Sequence, residues 1–326
     1  MATRFGQGIK AIEVVGEFAG KARSFLEVKS AHTRWAAQKY GRIIQIVMTS
    51  FITEEAIAQD ECLHHCYDLD PDTLWHSRQP LIPACYLRVP DSQEPLTDLD
   101  GHNIFHPAGS FEVIPTLLRD GTLLKLLQRS VTYLGISNLD NFGITIEPAL
   151  VGLLEESGRT ALVEGVERRS GDIGAWIGMD ENHRARFVEL DESGDSIKKS
   201  FTRFANISSW IIHLRRFMSE LGVSEKELRD SSPMDIERRV DEIFTAIPWH
   251  DVIKVQPVPI PGSEAEFRPV LQRERFLSDL SRATDTVFVQ MDRRERYFPI
   301  KQRDDMDRLT PRVKAMIEKQ TLFAES

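Results

Sequence analysis

The amino-acid sequence predicts an α/β fold built around a Rossmann-like mixed sheet. In the first half, short β-branched runs alternate with segments of helical period, a pattern typical of a parallel sheet. In the middle third, strand-like runs follow one another closely, which favours antiparallel pairing. The 326 residues, 41% of them hydrophobic, can bury one large core. No repeat, low-complexity stretch or linker divides the chain, so we expect a single domain over residues 1–326.

The first half carries the alternation of strands and helices. In chain order we expect a strand at Ala11–Val15, a helix at Phe25–Tyr40 stopped by Gly41, a buried strand at Ile43–Met48, a helix at Ile52–His65, a strand at Leu81–Val89 and a polar loop at Asp91–Gly101.

The rest of the chain carries more strands. We expect a helical hairpin or one broken helix at Phe111–Gln128, interrupted at Pro115 and at Asp120–Gly121, a strand at Val131–Ile136, a helix around Pro148–Glu156, paired strands at Ala161–Glu167, Ala175–Gly178 and Ala185–Glu189, a helix at Phe204–Leu221, an edge strand at Pro248–Pro261, a helix at Phe267–Ala283, a strand at Thr286–Gln290 and a closing helix at Thr310–Phe323. Residues 160–215 would form an antiparallel region and residues 285–326 a C-terminal segment.

The charge balance excludes two classes of partner. The chain has 41 Lys and Arg against 50 Asp and Glu, a net charge of −9, so no overall positive field draws in nucleic acid or an anionic membrane surface. Three cysteines in so long a chain indicate a reducing compartment. The first residues lack the apolar core of a signal peptide, and no apolar stretch reaches the ~20 residues of a membrane span. We therefore expect a cytoplasmic protein.

The first ten residues are rich in glycine and basic residues. Arg4 and Lys10 flank Gly6 and Gly8, and backbone N–H groups of such a loop can surround phosphate oxygens while the cations neutralise them. Taken alone, the segment fits a mobile basic chain end without a ligand better than a phosphate site.

The motif SNLDNFG at Ser137–Gly143 follows a predicted buried strand directly. Ligands of open α/β sheets bind at the carboxyl ends of strands, so Asp140 would lie at a rim where a carboxylate can hold Mg²⁺. A simple turn that caps the next helix is the alternative. Lys301, after an apolar stretch, could reach a phosphate as a point charge, although a solvated surface lysine is the commoner case.

Other sites find less support. Cys62, His64, His65 and Cys66 form a CxHHC cluster, but no second Cys/His pair stands at zinc-site spacing, so we reject zinc. Ser110 has no evident His and Asp partners for a hydrolase triad. A dehydrogenase would need a GxGxxG strand–helix unit, which is absent.

The motifs also occur in a familiar order, and the chain resembles the UTP:glucose-1-phosphate uridylyltransferase (UDP-sugar pyrophosphorylase) family throughout. The matching segments are MATRFG…K at Met1–Lys10, SFLEVK at Ser24–Lys29 (family FLDL-K), VMTSF at Val47–Phe51 (LMNSF), HPAGSFE at His106–Glu112 (PPGHGD), SNLDNFG at Ser137–Gly143 (SNIDNLG), GDIGAW at Gly171–Trp176 (near KGG), SIKKSFTRFANISSW at Ser196–Trp210 (SIKKFKIFNTNNLW) and YFPIKQRDDM at Tyr297–Met306 (FLPVKTTSDL).

The resemblance implies a nucleotidyltransferase (GT-A-like) fold and a set of site residues. UTP, or another nucleoside triphosphate, and a sugar 1-phosphate would be the substrates, with Mg²⁺ as cofactor, an NDP-sugar and pyrophosphate as products, and residues 160–215 as the sugar-binding region. The implied roles are Arg4 and Lys10 on the triphosphate, Met48, Gln79 and Gly109 around the base, Asp140 on Mg²⁺ at the nucleotide, Asn138, Gly174 and Asn206 at the sugar, and Lys301 on the α-phosphate.

Several positions depart from the family pattern. Thr49 replaces an Asn, Ser110 replaces a His, the following acid is displaced to Glu112, and the sugar-contacting Asn is lost or shifted to Asn206. The family's strand and two further glycines would precede Met1, so we expect residues encoded upstream. These departures indicate an altered substrate. The alternative is a catalytically inactive relative that binds a nucleotide, a sugar nucleotide or a protein partner.

Overall fold

The computed structural model describes residues 8–86, 95–169, 175–179, 185–188, 201–258 and 265–323. Two predicted site residues, Arg4 and Gly174, lie outside these ranges.

The α-helices of the described residues are α1 (Phe25–Tyr40), α2 (Glu54–Leu63), α3 (Val113–Arg119), α4 (Thr122–Gln128), α5 (Pro148–Ser157), α6 (Leu214–Glu220), α7 (Glu225–Asp230), α8 (Pro233–Phe244), α9 (Leu280–Ala283), α10 (Arg293–Arg296) and α11 (Arg303–Gln320). None of them is both long and apolar enough to cross a bilayer.

The β-strands of the described residues are β1 (Val14–Phe18), β2 (Lys21–Ser24), β3 (Gln45–Thr49), β4 (Leu74–Arg78), β5 (Leu81–Pro83), β6 (Cys85–Tyr86), β7 (Phe105–Pro107), β8 (Tyr133–Ser137), β9 (Ala161–Glu167), β10 (Trp176–Met179), β11 (Ala185–Val188), β12 (Phe201–His213), β13 (His250–Val258), β14 (Glu266–Glu274) and β15 (Thr286–Met291).

The largest sheet is mixed, as the sequence predicts. Its order is β11-β10-β12-β9-β15, and β8 pairs with the second half of β12. Strands β9 and β15 are parallel, whereas β12 runs antiparallel to β8, β9 and β10. The carboxyl ends of β8, β9 and β15 therefore face the same way. Smaller sheets pair β3 with β4 in parallel, β1 with β2, β5 with β7, and β14 with both β13 and β6.

Helix α1 forms over the residues predicted for it. Ser24 and Glu27 make a capping box, in which the Glu27 backbone N–H donates to Ser24 Oγ (3.2 Å) and the Ser24 N–H donates to the Glu27 carboxylate (2.7 Å). Such a box satisfies donors that the first turn leaves unpaired. Gly41 ends the helix with a φ of 100°, which a residue with a Cβ rarely adopts.

The last helix packs against the first. Leu309, Val313 and Ile317 of α11 share a buried cluster with Phe25 of α1 and with Phe142, which follows the SNLDN motif. This cluster also contains Phe298 and Ile300. The first helix and the last part of the chain therefore pack together around Phe142, directly after the SNLDN motif.

Two predicted helices are strands instead. Over Phe204–Leu221, the residues to His213 belong to β12, and only Leu214–Glu220 is helical. This strand lies between neighbours on both sides, so its apolar run around Trp210 mimics a buried helix. Over Phe267–Ala283, Glu266–Glu274 is strand β14. Its nine-residue pairing with β13 overrides the helix-forming Leu, Gln, Arg and Glu side chains.

Three smaller predictions are also wrong. Ala11–Val15 begins with a 3-10 turn, and the strand starts only at Val14. Strand β9 does not pair with β10, because β12 lies between them. Pro115 does not break its helix, since it lies in the first turn of α3, where a missing N–H costs nothing. The break at Asp120–Gly121 is confirmed.

A turn after α2 has an unusual backbone. Four consecutive non-glycine residues, His65 to Asp68, have φ values of 49–58° in the left-handed region. Arg34 of α1 stabilises the turn by donating to the Tyr67 carbonyl (3.0 Å) and to Asp68 Oδ2 (2.6 Å). Left-handed conformation costs about 1–2 kcal/mol per residue with a Cβ, so the turn depends on these contacts.

Candidate active site

A lysine and an aspartate form the centre of the candidate site. Lys10 Nζ lies 2.9 Å from Asp140 Oδ2, and the two side chains are only 10% and 21% exposed. The Lys10 ammonium also lies 5.3 Å from the centre of the Phe25 ring. Residues 130 positions apart thus meet, as the sequence predicts for a cation facing the acid of SNLDN.

The second oxygen of Asp140 has a different environment. Oδ1 is buried and has no hydrogen-bond partner within the part of the chain that the structure describes. A buried carboxylate oxygen without a donor is costly unless a cation or ligand satisfies it. Oxygen of this kind is the ligand type that Mg²⁺ prefers.

The segment leading to Lys301 lies beside Asp140. The Ile300 N–H donates to the Asp140 carbonyl (2.9 Å), and Asn141 forms a β-bridge with Pro299. The Asn141 side chain accepts from the Phe298 N–H (3.1 Å). The backbone of Lys301 is therefore next to Asp140, and its side chain is half-buried.

An ion pair fixes the start of this segment. Arg296 donates from Nε and Nη2 to the two oxygens of Glu164 on β9, both at 2.6 Å. The Arg296 carbonyl accepts from Asn141 Nδ2 (3.2 Å). Both charged side chains are almost fully buried, at 7% and 1% exposure. The sheet, the SNLDN loop and the Lys301 segment therefore form one hydrogen-bonded frame.

Helix α1 holds the other side of the loop with a strip of three residues. Phe25 stacks on Phe142 with ring centres 5.3 Å apart. Lys29 Nζ donates to the carbonyls of Asn141 (2.7 Å) and Ile144 (3.1 Å). His32 Nε2 accepts from the Ile146 backbone N–H (3.1 Å). Its Nδ1 lies 3.0 Å from Gln320 Oε1.

Burial alters the titration of both polar residues in this strip. It lowers the pKa of Lys29 from 10.5 to about 7, an effect that Asp140 opposes and Arg296 reinforces. Burial, with Lys29 nearby, lowers the pKa of His32 from 6.5 to about 4. We did not predict either residue from the sequence. The available signal was their spacing, since positions 25, 29 and 32 lie on one face of a helix.

The residues predicted for the base lie on neighbouring strand ends. Met48 is on β3. Thr49, which follows Met48, accepts at its backbone carbonyl from the Gln79 N–H (2.9 Å). Gln79 is buried. Gly109 follows β7, which pairs with β5 just after Gln79. Its φ is 107°, and a Cβ there would lie 2.2 Å from the Arg275 carbonyl oxygen, so a larger residue does not fit.

One apolar cluster links this region to the Lys10–Asp140 pair. Ile9, Val47 and Leu139 pack on Leu26 and its buried neighbours. These three residues are the chain neighbours of Lys10, Met48 and Asp140. Packing of these neighbours in one cluster therefore fixes the backbone positions of Lys10, Met48 and Asp140 relative to one another.

The family departures have distinct environments. Ser110 Oγ accepts from the Leu277 N–H (3.0 Å), and Glu112 is fully buried against Arg275 (2.8 Å to its Nε) and Arg119 (3.3 Å), so both have structural partners. Thr49 differs, because its Oγ1 is buried and has no partner within the described ranges. Of these three residues, only Thr49, at the end of β3, has a buried polar side-chain atom without a partner among the described residues.

Two of the predicted sugar residues are described by the structure, Asn138 directly after β8 and Asn206 within β12. Ser137 pairs with Ser209 of β12, and β12 runs in the opposite direction. Asn206 and Asn138 therefore lie towards the same end of the paired strands β8 and β12. Asn206 Oδ1 accepts from the Ser208 N–H (2.7 Å), and its own N–H donates to the Ala175 carbonyl (3.0 Å), the residue after Gly174. Asn138 is exposed.

Comparison with known proteins bears on this arrangement. The model of the UTP–glucose-1-phosphate uridylyltransferase family matches residues 6–213, more than half of the chain. The chain belongs to this family. The matched residues include both members of the Lys10–Asp140 pair, whereas Lys301 lies beyond them.

Sequence relatives are distant and longer. A Schizosaccharomyces pombe protein named "Probable UTP–glucose-1-phosphate uridylyltransferase" is 25% identical over 196 residues, which are 57% of this chain and 38% of that protein. The UTP–glucose-1-phosphate uridylyltransferase of Encephalitozoon cuniculi is 22% identical over 213 residues, or 60% and 40%. The chain thus spans about two fifths of the length of these curated relatives.

Solved structures share the fold. A uridine diphosphate N-acetylglucosamine pyrophosphorylase from Trypanosoma brucei, solved with an inhibitor, superposes with a TM-score of 0.68 at 18% identity and covers 99% of this chain and 66% of its own. A mutant UDP-glucose pyrophosphorylase from Leishmania major, solved with UDP-glucose, gives 0.65 at 18% identity and covers 91% and 60%. The nucleotidyltransferase type of α/β fold is therefore confirmed.

Proposed function

We propose that this chain transfers a nucleoside monophosphate, UMP from UTP, to a sugar 1-phosphate and releases pyrophosphate. The observation that carries the proposal is the contact of Lys10 with Asp140 beside the backbone of Lys301. Family membership supports this class of reaction. The names of the two superposed proteins refer to UDP-sugars. The Leishmania major protein is named for UDP-glucose and the Trypanosoma brucei protein for UDP-N-acetylglucosamine, which supports a UDP-sugar as the product class.

The residues present fit a magnesium ion. Among the residues that the structure describes, no donor reaches the buried Asp140 Oδ1, so a divalent cation would satisfy it. When bound, Mg²⁺ would neutralise charge on the nucleotide phosphates. Asp140 would hold the ion, and the Asn141 hydrogen bonds would fix the loop that carries it.

The reaction needs positioning and charge neutralisation more than proton transfer. The sugar phosphate oxygen attacks the α-phosphorus of UTP, the bond to the β-phosphate oxygen breaks, and pyrophosphate leaves with that electron pair. Lys10 has three donors on a flexible stem, so its ammonium can serve Asp140 and the departing phosphates. Lys301 would neutralise charge on the α-phosphate, and Arg4 would join Lys10 at the triphosphate.

The assay is pyrophosphate release from pairs of nucleoside triphosphates and sugar 1-phosphates, with Mg²⁺ or with EDTA. We expect release with UTP and either glucose 1-phosphate or N-acetylglucosamine 1-phosphate, and none with EDTA. Asp140→Asn should lower kcat at least ~100-fold because the carboxylate charge is lost. Lys301→Ala should lower kcat by about 10²–10³, as for loss of one donor to developing charge.

Matched variants separate these effects from surface changes. Asp304→Asn and Lys314→Ala alter exposed residues of α11 and should leave kcat unchanged. Absence of turnover for every pair, with UTP binding still seen by calorimetry, would favour the inactive relative over an enzyme. Near-normal turnover by Asp140→Asn would remove Asp140 from the metal site.

A further inference from the structure

Lys29 is a half-buried lysine that the proposed reaction does not use. Its ammonium lies between two backbone carbonyls, those of Asn141 and Ile144, which enclose the turn directly after Asp140. It also lies 5.8 Å from the centre of the Phe142 ring. Every one of these contacts is to the loop that carries the acid.

Placing a lysine at this position costs free energy, because its charged form loses contact with water. Burial opposes its charged form strongly enough to lower its pKa to about 7, and Arg296 adds repulsion. A methionine of similar length would avoid that cost. Asp140 opposes the shift, so the favourable electrostatic partner of Lys29 is the carboxylate of the candidate site.

The loop contacts explain what the cation does there. Two carbonyls three residues apart accept from one ammonium, which fixes the turn and so the direction of Asp140. The Asp140 carbonyl in turn accepts from the Ile300 N–H (2.9 Å). Lys29 and Ile300 therefore both hold the loop, in which Asp140 directs Oδ2 to Lys10 while Oδ1 meets no donor among the described residues.

We propose that Lys29 is a positioning residue for Asp140, which keeps the carboxylate oriented for a divalent cation without itself contacting substrate. The proposal rests on the proposed function for its kinetic consequence, but its structural consequence is independent of turnover. Groups that orient a metal ligand typically change metal affinity 10–100-fold when removed.

The test compares Lys29→Met, which keeps length and loses both hydrogen bonds, with Lys39→Met, an exposed lysine of the same helix. Two measurements do not need turnover. Manganese binding followed by electron paramagnetic resonance should weaken at least ~10-fold in Lys29→Met, and hydrogen exchange of the amides in residues 141–146 should accelerate. Lys39→Met should match the wild type in both.

The kinetic measurement separates positioning from general damage. In Lys29→Met the Mg²⁺ concentration for half-maximal rate should rise at least ~10-fold and kcat should fall, while KM for the sugar 1-phosphate stays within threefold. Lys29→Arg keeps a cation that can reach both carbonyls and should recover part of the loss, and it serves as the test if the Met variant does not fold.

The outcomes distinguish the two proposals. If the wild type shows no transferase activity but manganese affinity and loop protection fall in Lys29→Met, the proposed function fails and the role of Lys29 stands. Equal manganese binding by the wild type and Lys29→Met, or binding by neither, overturns the role of Lys29. Unchanged loop exchange overturns it as well.

Discussion

The buried pair of Arg296 and Glu164 gives the most direct quantitative prediction. Replacement of Glu164 by Gln keeps the size of the side chain but removes its charge. Arg296 would then remain buried at 7% exposure, with the Thr145 hydroxyl (2.8 Å) and no anion opposite its Nε and Nη2. The new amide would also place N–H groups against one of these donors.

The expected cost is large because both charges are removed from water. Leaving one member of a buried ion pair without its partner costs about 3–5 kcal/mol, a large part of the ~5–15 kcal/mol that stabilises a typical domain. The loss is to be measured as the free energy of unfolding in urea at pH 7. Glu266→Gln is the matched control, since it removes a surface pair with Arg268 whose side chains are 57% and 51% exposed, and it should cost less than about 1 kcal/mol.

A double variant sharpens the interpretation. Glu164→Leu combined with Arg296→Met removes both charges and should be less destabilised than Glu164→Gln, because no buried charge is left unpaired. A cost below about 1 kcal/mol for Glu164→Gln, similar to the surface control, would refute the claim that this pair holds the frame.

Three further perturbations test local features. His65→Gly should raise the free energy of unfolding by about 1 kcal/mol, because glycine accepts the φ of 49° without the cost of a Cβ; His65→Ala, which keeps the Cβ, should give no such gain in urea unfolding. Gly109→Ala should cost about 2–5 kcal/mol in thermal unfolding, since its Cβ would lie 2.2 Å from a carbonyl oxygen; Gly101→Ala, with φ of 84° and open space around it, should cost only about 1–2 kcal/mol, and equal costs would contradict the clash. The unfolded chain protonates His32 near pH 6.5 and the folded chain only near pH 4, so the stability from its neutral ring is present above pH 6.5 and is lost as the pH falls towards 4, by up to about 3 kcal/mol. His32→Gln should flatten the dependence of unfolding free energy on pH in that window, and a parallel curve for the variant would disprove this role.

The sequence predicts the parts of the fold that local chemistry determines. Helix α1 is predicted over its full length because Ser24, Glu27 and Gly41 are strong local signals for its ends. Strands β12 and β14 are missed because their state depends on neighbours far along the chain. The apolar residues of β12 match a buried helix as well as a buried strand until β8, β9 and β10 are seen on its flanks.

The candidate site follows the same division. Asp140 can be predicted because SNLDN directly follows a strand, whereas Lys10 is singled out only through the family resemblance, since its glycine-rich segment alone also fits a basic chain end. Lys29 and Arg296 cannot be singled out in this way, since each is one of many cations and its role comes from a carbonyl or carboxylate more than a hundred residues away. Glu112 shows the converse, because an acid near a family motif proves to be neutralised by Arg275.

The bridge between Asn141 and Pro299 has a consequence for synthesis of the protein on the ribosome. Helix α1 and the residues it holds emerge early, but the amides of Phe298 and Ile300 that complete the Asp140 turn are translated about 160 residues later than Asn141. A nascent chain that has not yet released residues 296–301 would contain the whole SNLDN motif without the hydrogen bonds that orient its acid. The Asp140 carboxylate therefore reaches its final orientation only after residues 298–300 have been translated, although the motif itself is made much earlier.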